Sequence, residues 1–464
     1  MRFTQATVRH TARPDEPPGA GATSQQAREP AHPSPRYSAP TGAGGPFGGP
    51  GLLDGLLSDD PAAVDADVAG AVGATLARLL ATRVDDARVL DPLFARDVAE
   101  RVADFTLRGG RRLRPRLLWW SLRACGGGDR AQVRAALRAA AALELLQTCA
   151  LVHDDVMDAA ATRRGRPALH TAVAAQYGDG APATARRLGE SAAVLAGDLA
   201  LAWADDTVAE LLADGADLPP GAARRAHEVW RTTRTEMVAG QYLDVQGQAT
   251  AAHTVARAVR AACLKSALYT VERPVELGAV LAGAEASVAR ALCRAGRCAG
   301  LAFQLRDDLD DLFADPGVTG KPSGGDVREG KPTYLMALTR ARAAGTGDRH
   351  ALEVLDAAVG RADLTGAGLD RVREVVVATG ARDAVETRIA RLSRRALRHV
   401  ALLELPQPRA AAALRELLTE ISGPRDGTAA PGHRPAPAPT STPAPPTGAA
   451  PAGSLPVAVP EVAR

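Results

Sequence analysis

The chain of 464 residues predicts an all-α fold, on three observations. Apolar residues recur at spacings of three and four, as over 351–359 and 370–378, and no alternating strand series or fixed-period repeat interrupts them. Aromatics are 3% of the chain while alanine, arginine and leucine abound, a composition that fills a helical core better than a sheet. Breakers such as Gly126-Gly127-Gly128, Pro219-Pro220-Gly221 and Gly324-Gly325 stand between the periodic stretches.

Taken in order, residues 1–58 are rich in Pro, Gly, Ser, Ala and Arg, with few large apolar side chains. Such a segment cannot bury enough surface to offset the entropy of ordering, so it predicts a disordered tail; the Pro/Ala-rich residues 423–464 predict a second. Residues 59–422 form the predicted helical domain. Within it Ala135 to Val152 (AALRAAAALELLQTCALV) is apolar on most faces and predicts a buried helix.

Several classes are excluded. A net charge of +3 gives no nucleic-acid footprint. Five cysteines, odd in number and without a CxxC pair, predict reduced thiols and a cytoplasmic location rather than a disulfide frame or zinc site. The N-terminus lacks the apolar stretch of a secretory signal. No uninterrupted apolar run reaches the roughly 18 residues of a membrane span.

Two acidic clusters carry the chemistry. In the first, Asp154, Asp155 and Asp158, the outer carboxylates are four apart and share one helix face. Like charges so placed destabilise a bare helix, and a divalent cation relieves them; hard oxygens with room for water suit Mg²⁺. A solvated helix end is the plainer alternative. The cluster follows the apolar run directly, and Arg163, Arg164 and Arg166 come soon after, guanidiniums matched to phosphate oxygens.

The second cluster, Asp307, Asp308 and Asp311 with Asp310 beside them, repeats the spacing. Downstream lies a glycine-rich stretch with Lys321 and Lys331, able to fold over a phosphate yet lacking the Walker A order. Carboxylates, cation and basic residues together describe a diphosphate site.

The motifs, in order, are GGRRLRP (109–115), LVHDDVMD (151–158), TRRGRPALH (162–170), GQYLDVQ (240–246), KSALYT (265–270), FQLRDDLDD (303–311) and GKPSGGDVREGKPTYL (320–335). With them the chain resembles the trans-isoprenyl diphosphate synthases, or polyprenyl synthetases, over about residues 60–422. YTVERPVELGAVLAG (269–283) is similar to the geranylgeranyl-type members from actinobacteria. The resemblance implies antiparallel helices around a deep central cavity, a homodimer, and head-to-tail condensation of isopentenyl diphosphate with an allylic diphosphate (dimethylallyl, geranyl or farnesyl).

It further implies that Asp154, Asp155, Asp158, Asp307, Asp308 and Asp311 hold Mg²⁺, three ions with substrate bound. Arg163, Lys265, Lys321 and Lys331 then contact the allylic diphosphate. Gly110, Arg111, Arg114, Gln147 and Arg164 form the isopentenyl diphosphate site, and Gln304 and Ser266 lie near the reacting carbons. Asp154, Asp155, Asp158, Arg163, Lys265, Gln304 and Lys321 are the expected catalytic set. The chain departs from the family in carrying Arg111 for lysine, Gln147 for histidine, Ser266 for threonine, and Ala159-Ala160-Ala161 for a more polar stretch. None of these removes a required charge.

Product length is a packing question. Where an aromatic closes the cavity of farnesyl-type relatives, Cys149 and Ala150 are small, with Leu146 and Leu145 as a deeper floor. A twenty-carbon product, geranylgeranyl diphosphate, is expected; the plainer alternative is that the small residues only permit close helix packing. The rival functions are a longer-chain polyprenyl synthase and a non-catalytic regulatory subunit. A terpene cyclase is disfavoured by the second DDxxD and the few aromatics.

Overall fold

A computed structural model describes residues 59–178, 182–250, 254–315 and 323–423, all within one compact unit, Pro46–Arg464. Both tails lie outside the described residues, apart from Gly423, and so does the segment that contains Lys321.

The described chain is built of helices. They are α1 (Pro61–Ala66), α2 (Val68–Leu90), α3 (Glu100–Leu107), α4 (Leu113–Ala124), α5 (Arg130–Met157), α6 (Leu169–Gln176), α7 (Pro182–Ala213), α8 (Ala222–Thr250), α9 (Val255–Ala262), α10 (Arg273–Leu281), α11 (Ala286–Phe313), α12 (Gly325–Glu329), α13 (Tyr334–Thr346), α14 (Arg349–Ala358), α15 (Gly366–Ala378), α16 (Ala381–Ala401) and α17 (Pro408–Ser422). A π-helical stretch, Cys263–Glu272, joins α9 to α10 without a break.

α5 shows why these residues choose helix. Asp129 and Gln132 form a capping box that satisfies its first amides. Alanines and leucines follow with no β-branched run, so little side-chain entropy is lost. By length and composition α5 could cross a membrane, yet most of it is buried inside the protein, chiefly against α7. Leu143, Leu145 and Leu146 pack with Leu76, Leu80 and Trp119 in the first core. A second core joins α11 to α13, α14 and α15 through Leu305, Leu309, Leu335, Leu355 and Val372. A third links α4, the π-helical stretch, α11 and α17 through Leu117, Val271, Leu292 and Leu418.

One feature departs from an all-helical reading. Thr162–Arg163 and Arg166–Pro167 pair as a two-residue antiparallel hairpin, β1 and β2. Its turn needs two consecutive left-handed residues, supplied by Arg164 (φ 53°) and Gly165 (φ 73°). The strands are too short for any period-2 signal.

Candidate active site

The two acidic clusters occupy equivalent places. α5 and α11 are each 28 residues long, and each carries its cluster at the C-terminal end. There the helix dipole is negative, so carboxylates are disfavoured unless cations offset them. The structure brings those cations in from distant segments.

Asp154 is half-buried and accepts hydrogen bonds from Lys265 Nζ at 3.2 Å and Gln241 Nε2 at 2.8 Å. Burial alone would raise its pKa; Lys265, Gln241 and Lys331 together outweigh burial and hold the carboxyl below the usual range. Asp155 is buried and accepts from Arg163 Nε at 2.7 Å, with Arg163 Nη2 also 3.5 Å from Asp154. Burial keeps the Asp155 carboxyl above the usual range despite Arg163. Asp158 caps the C-terminus of α5 and accepts from Lys331 Nζ at 2.9 Å; burial again wins and raises its pKa.

In the second cluster Asp308 is buried and accepts from Gln304 Nε2 at 2.8 Å. Burial, with Asp307 and Asp311 near, pushes it up to about 7. Asp311 accepts from the amide of Asp326 at 3.1 Å, and burial raises it too. Asp326, buried beside Asp311 and Asp308, is raised well above the carboxylate range.

Lys331 stands between the clusters. It donates to Asp158, pairs with Glu329 at 2.6 Å, and its charge acts on Asp154, Asp311 and Asp326. Burial lowers its pKa, but this ring of carboxylates raises it further, so the ammonium is fixed. The clusters predicted from sequence therefore face one site.

Lys265 is placed by the π-helical stretch, whose backbone passes close to two glycines. A Cβ on Gly240 of α8 would lie 2.3 Å from the Lys265 nitrogen, and one on Gly300 of α11 2.6 Å from the Ala267 oxygen. Only glycine permits both approaches. Lys265 then reaches Asp244 Oδ2 at 2.6 Å as well as Asp154. Ser266, half-buried, follows it in the same stretch.

A second, more basic region adjoins. Arg114 donates to Thr270 Oγ1 at 2.8 Å and lies 4.2 Å over the Tyr269 ring, while the Tyr269 hydroxyl donates to Gln147 Oε1. Arg164, aimed by the hairpin turn, lies near Gly110 and 6.0 Å from the Phe105 ring, and forms no hydrogen bond to a described residue. Desolvation, then Arg112, Arg163 and Arg114, push its pKa below the usual arginine range, with Glu144 opposing. Guanidiniums that lower one another in this way favour a phosphate among them. Arg111 is set apart: it is exposed and pairs with Glu420 of α17.

Asp244, Gln241, Asp326, Tyr269, Arg112 and Glu144 belong to these networks and had not been singled out. Gln241 and Asp244 are three apart on α8 and so share a face; that spacing was the available signal. Glu144, a lone carboxylate between Leu143 and Leu145, was another. It pairs with buried Arg112, which also donates to the carbonyls of Thr106 at 2.9 Å and Leu107 at 3.0 Å. Arg112 thereby caps α3 and sets the loop that carries Gly110 and Arg111 and leads into α4, which bears Arg114.

The donor set suits a hard divalent cation. All candidate ligands are carboxylates, and the buried Asp155 Oδ2 has no hydrogen-bond partner. Among the described residues no three His, Cys, Asp or Glu side chains close on one point. Mg²⁺ does not require such a cage, since it is normally held by one or two carboxylates together with substrate phosphates.

The chain-length residues divide between two faces of α5. Ala150 and Leu146 lie one and two turns below Asp154 on its own face, Ala150 half-buried and Leu146 buried. Cys149 instead lies below His153, with Sγ 3.7 Å from Nδ1, and the His153 ring bonds the Val194 carbonyl of α7 at 3.0 Å. Burial pushes the Cys149 thiol up to about 12. All five cysteines are free.

Comparison with known proteins agrees with this geometry. Residues 96–363 match the polyprenyl synthetase family. A geranylgeranyl pyrophosphate synthase of Corynebacterium glutamicum, solved with isoprenyl diphosphate and magnesium, superposes with a TM-score of 0.69 at 35% identity, over 76% of this chain and 99% of that one. A geranylfarnesyl diphosphate synthase of Aeropyrum pernix is 33% identical over 280 residues, 60% of this chain and 79% of that protein. A (2E,6E)-farnesyl diphosphate synthase of Mycobacterium bovis is 33% identical over 308 residues, 66% of this chain and 78% of that protein. With two carboxylate clusters facing one site and a match across more than half its length, the chain belongs to the polyprenyl synthetase family, the trans-isoprenyl diphosphate synthases, and is a prenyltransferase.

Proposed function

We propose that the chain condenses isopentenyl diphosphate with an allylic diphosphate to give geranylgeranyl diphosphate, in a Mg²⁺-dependent reaction. The observation that carries this reading is Lys331, held between the two carboxylate clusters. Mg²⁺ bound by Asp154, Asp155 and Asp158 and by Asp307, Asp308 and Asp311 would neutralise charge on the leaving diphosphate.

The chain's own residues supply the rest. Arg163, Lys265 and Lys331, set on the carboxylates, turn toward the allylic diphosphate oxygens, with Lys321 the further contact carried over from the family resemblance. Diphosphate leaves, and the double bond of isopentenyl diphosphate attacks the allylic carbon. Arg114, Arg164 and the Gly110 loop hold the second diphosphate, with Arg111 at their margin. Loss of a proton to the released diphosphate restores a double bond. The apolar walls of α5 keep water from the cation.

Ala150 and Leu146, on the Asp154 face of α5, support a cavity that admits twenty carbons and ends at Leu146. Ala150→Phe is expected to shift the product to fifteen carbons or fewer, read by chromatography of the dephosphorylated alcohols. An unchanged product distribution contradicts the length assignment. A longer product is the second reading, supported by the similarity to the Aeropyrum pernix enzyme.

The enzyme is proposed to work as a homodimer. Leu188, Val194 and Leu195 of α7 are exposed by 42%, 44% and 59%, apolar surface that a second copy would cover. The five free thiols support a cytoplasmic location.

A further inference from the structure

Between α13 and α16, apart from the prenyl-transfer site, lies a cavity of about 740 Å³. Arg342 of α13 and Arg388, Arg391 and Arg395 of α16 line it, against one carboxylate in the lining, Asp383. The three α16 arginines are spaced three and four apart, so they share one face. Arg342 is braced by the Thr379 carbonyl at 2.9 Å. Arg388 donates to the Tyr334 hydroxyl at 3.0 Å and lies 4.8 Å from its ring. Arg391 and Arg395 form no ion pair or hydrogen bond with described residues.

One arginine of α16 outside the cavity, Arg382, pairs with Glu386 at 3.1 Å. Inside the cavity the charges are left to repel one another, and a concave wall of one sign concentrates its field. α16 also begins here. Gly380 precedes its first turn, and no side chain caps the first amides, so the positive end of a 21-residue helix opens on the same space.

The geometry points to a binding site for a diphosphate group, separate from the prenyl-transfer site. Guanidiniums arranged in this way match the many acceptor oxygens of a diphosphate, and Tyr334 and Leu392 give an apolar flank. Tyr334 also links the two sites. Its hydroxyl accepts from Arg388 while its backbone lies beside Asp308 of the second cluster. A ligand here therefore sits behind the carboxylates that serve the reaction. The diphosphate has two sources, the free inorganic ion and the headgroup of a prenyl diphosphate.

The test is calorimetric titration of the full chain in Mg²⁺ with inorganic diphosphate and, separately, with farnesyl thiolodiphosphate. The wild type is expected to bind one more equivalent per chain than Arg391→Glu/Arg395→Glu. The milder Arg391→Gln/Arg395→Gln is expected to weaken that site by roughly 10-fold per guanidinium, as charged hydrogen bonds are lost. Turnover at low diphosphate stays unchanged in both variants, so failure of this proposal is distinguishable from failure of the prenyltransferase reading. Binding of the thiolodiphosphate alone at this site assigns the headgroup as the ligand; binding of the inorganic ion assigns the free species. Equal stoichiometry and affinity in wild type and both variants, with either ligand, overturns the proposal.

Discussion

Asp154→Ala is expected to lower kcat by roughly 10²–10³-fold, the loss that follows removal of one pre-positioned electrostatic contact at a reacting group. Asp154 meets Lys265, Gln241 and Arg163, so its removal disturbs every element that converges on the allylic diphosphate. The fold should survive. Lys265 keeps Asp244 and Arg163 keeps Asp155, so no buried cation is stranded. Circular dichroism separates the two effects: an unchanged melting curve with collapsed turnover is the expected pair of results. A loss under tenfold would remove Asp154 from the catalytic set.

Glu144→Ala acts on stability instead. Glu144 and Arg112 are both 7% exposed, and Arg112 has no second carboxylate in reach of an ion pair among the described residues. Removing the acid leaves a buried guanidinium with only the Thr106 and Leu107 carbonyls. Breaking a buried pair in this way costs about 3–5 kcal/mol. Urea unfolding measures it. Replacing both partners by apolar residues should recover much of the loss, since the cost lies in the stranded charge rather than in the pair. A single-variant cost below about 1 kcal/mol would show that water reaches Arg112 and that the loop it sets is not held by Glu144.

How much of this was legible in the sequence depends on distance along the chain. The helices were legible because their signals are local: the apolar run of α5, the apolar spacing of α14 and α15, and the glycines and prolines that separate α4 from α5 and α7 from α8. The acidic clusters were legible for the same reason, as a four-residue spacing at the end of an apolar run. The partners were not. Lys265 meets Asp154 across 111 residues and Lys331 meets Asp158 across 173, and no short-range pattern encodes such pairings. The family resemblance named both lysines, while Asp244 and Glu144 left only a spacing and a lone carboxylate as signals, and Asp326 became visible only when helices were packed together.

Faces of a helix gave an intermediate case. Cys149 and Ala150 are neighbours in sequence and were expected to act together. A helix turns about 100° per residue, so they point differently: Ala150 lies under Asp154 and Cys149 under His153, beside α7. The hairpin that aims Arg163 inward was illegible because two residues per strand carry no periodicity, although the left-handed pair Arg164-Gly165 ends in the residue such turns favour.

The central claim is that one site with two carboxylate clusters ionises an allylic diphosphate and joins it to isopentenyl diphosphate. The most direct measurement is incubation of the purified full chain with labelled isopentenyl diphosphate and farnesyl diphosphate, with and without Mg²⁺, followed by product chromatography and a diphosphate assay. The account predicts geranylgeranyl diphosphate with one diphosphate released per condensation, both abolished by chelation of the metal. No condensation product from the chain alone, or product formation undiminished by chelation, would contradict it.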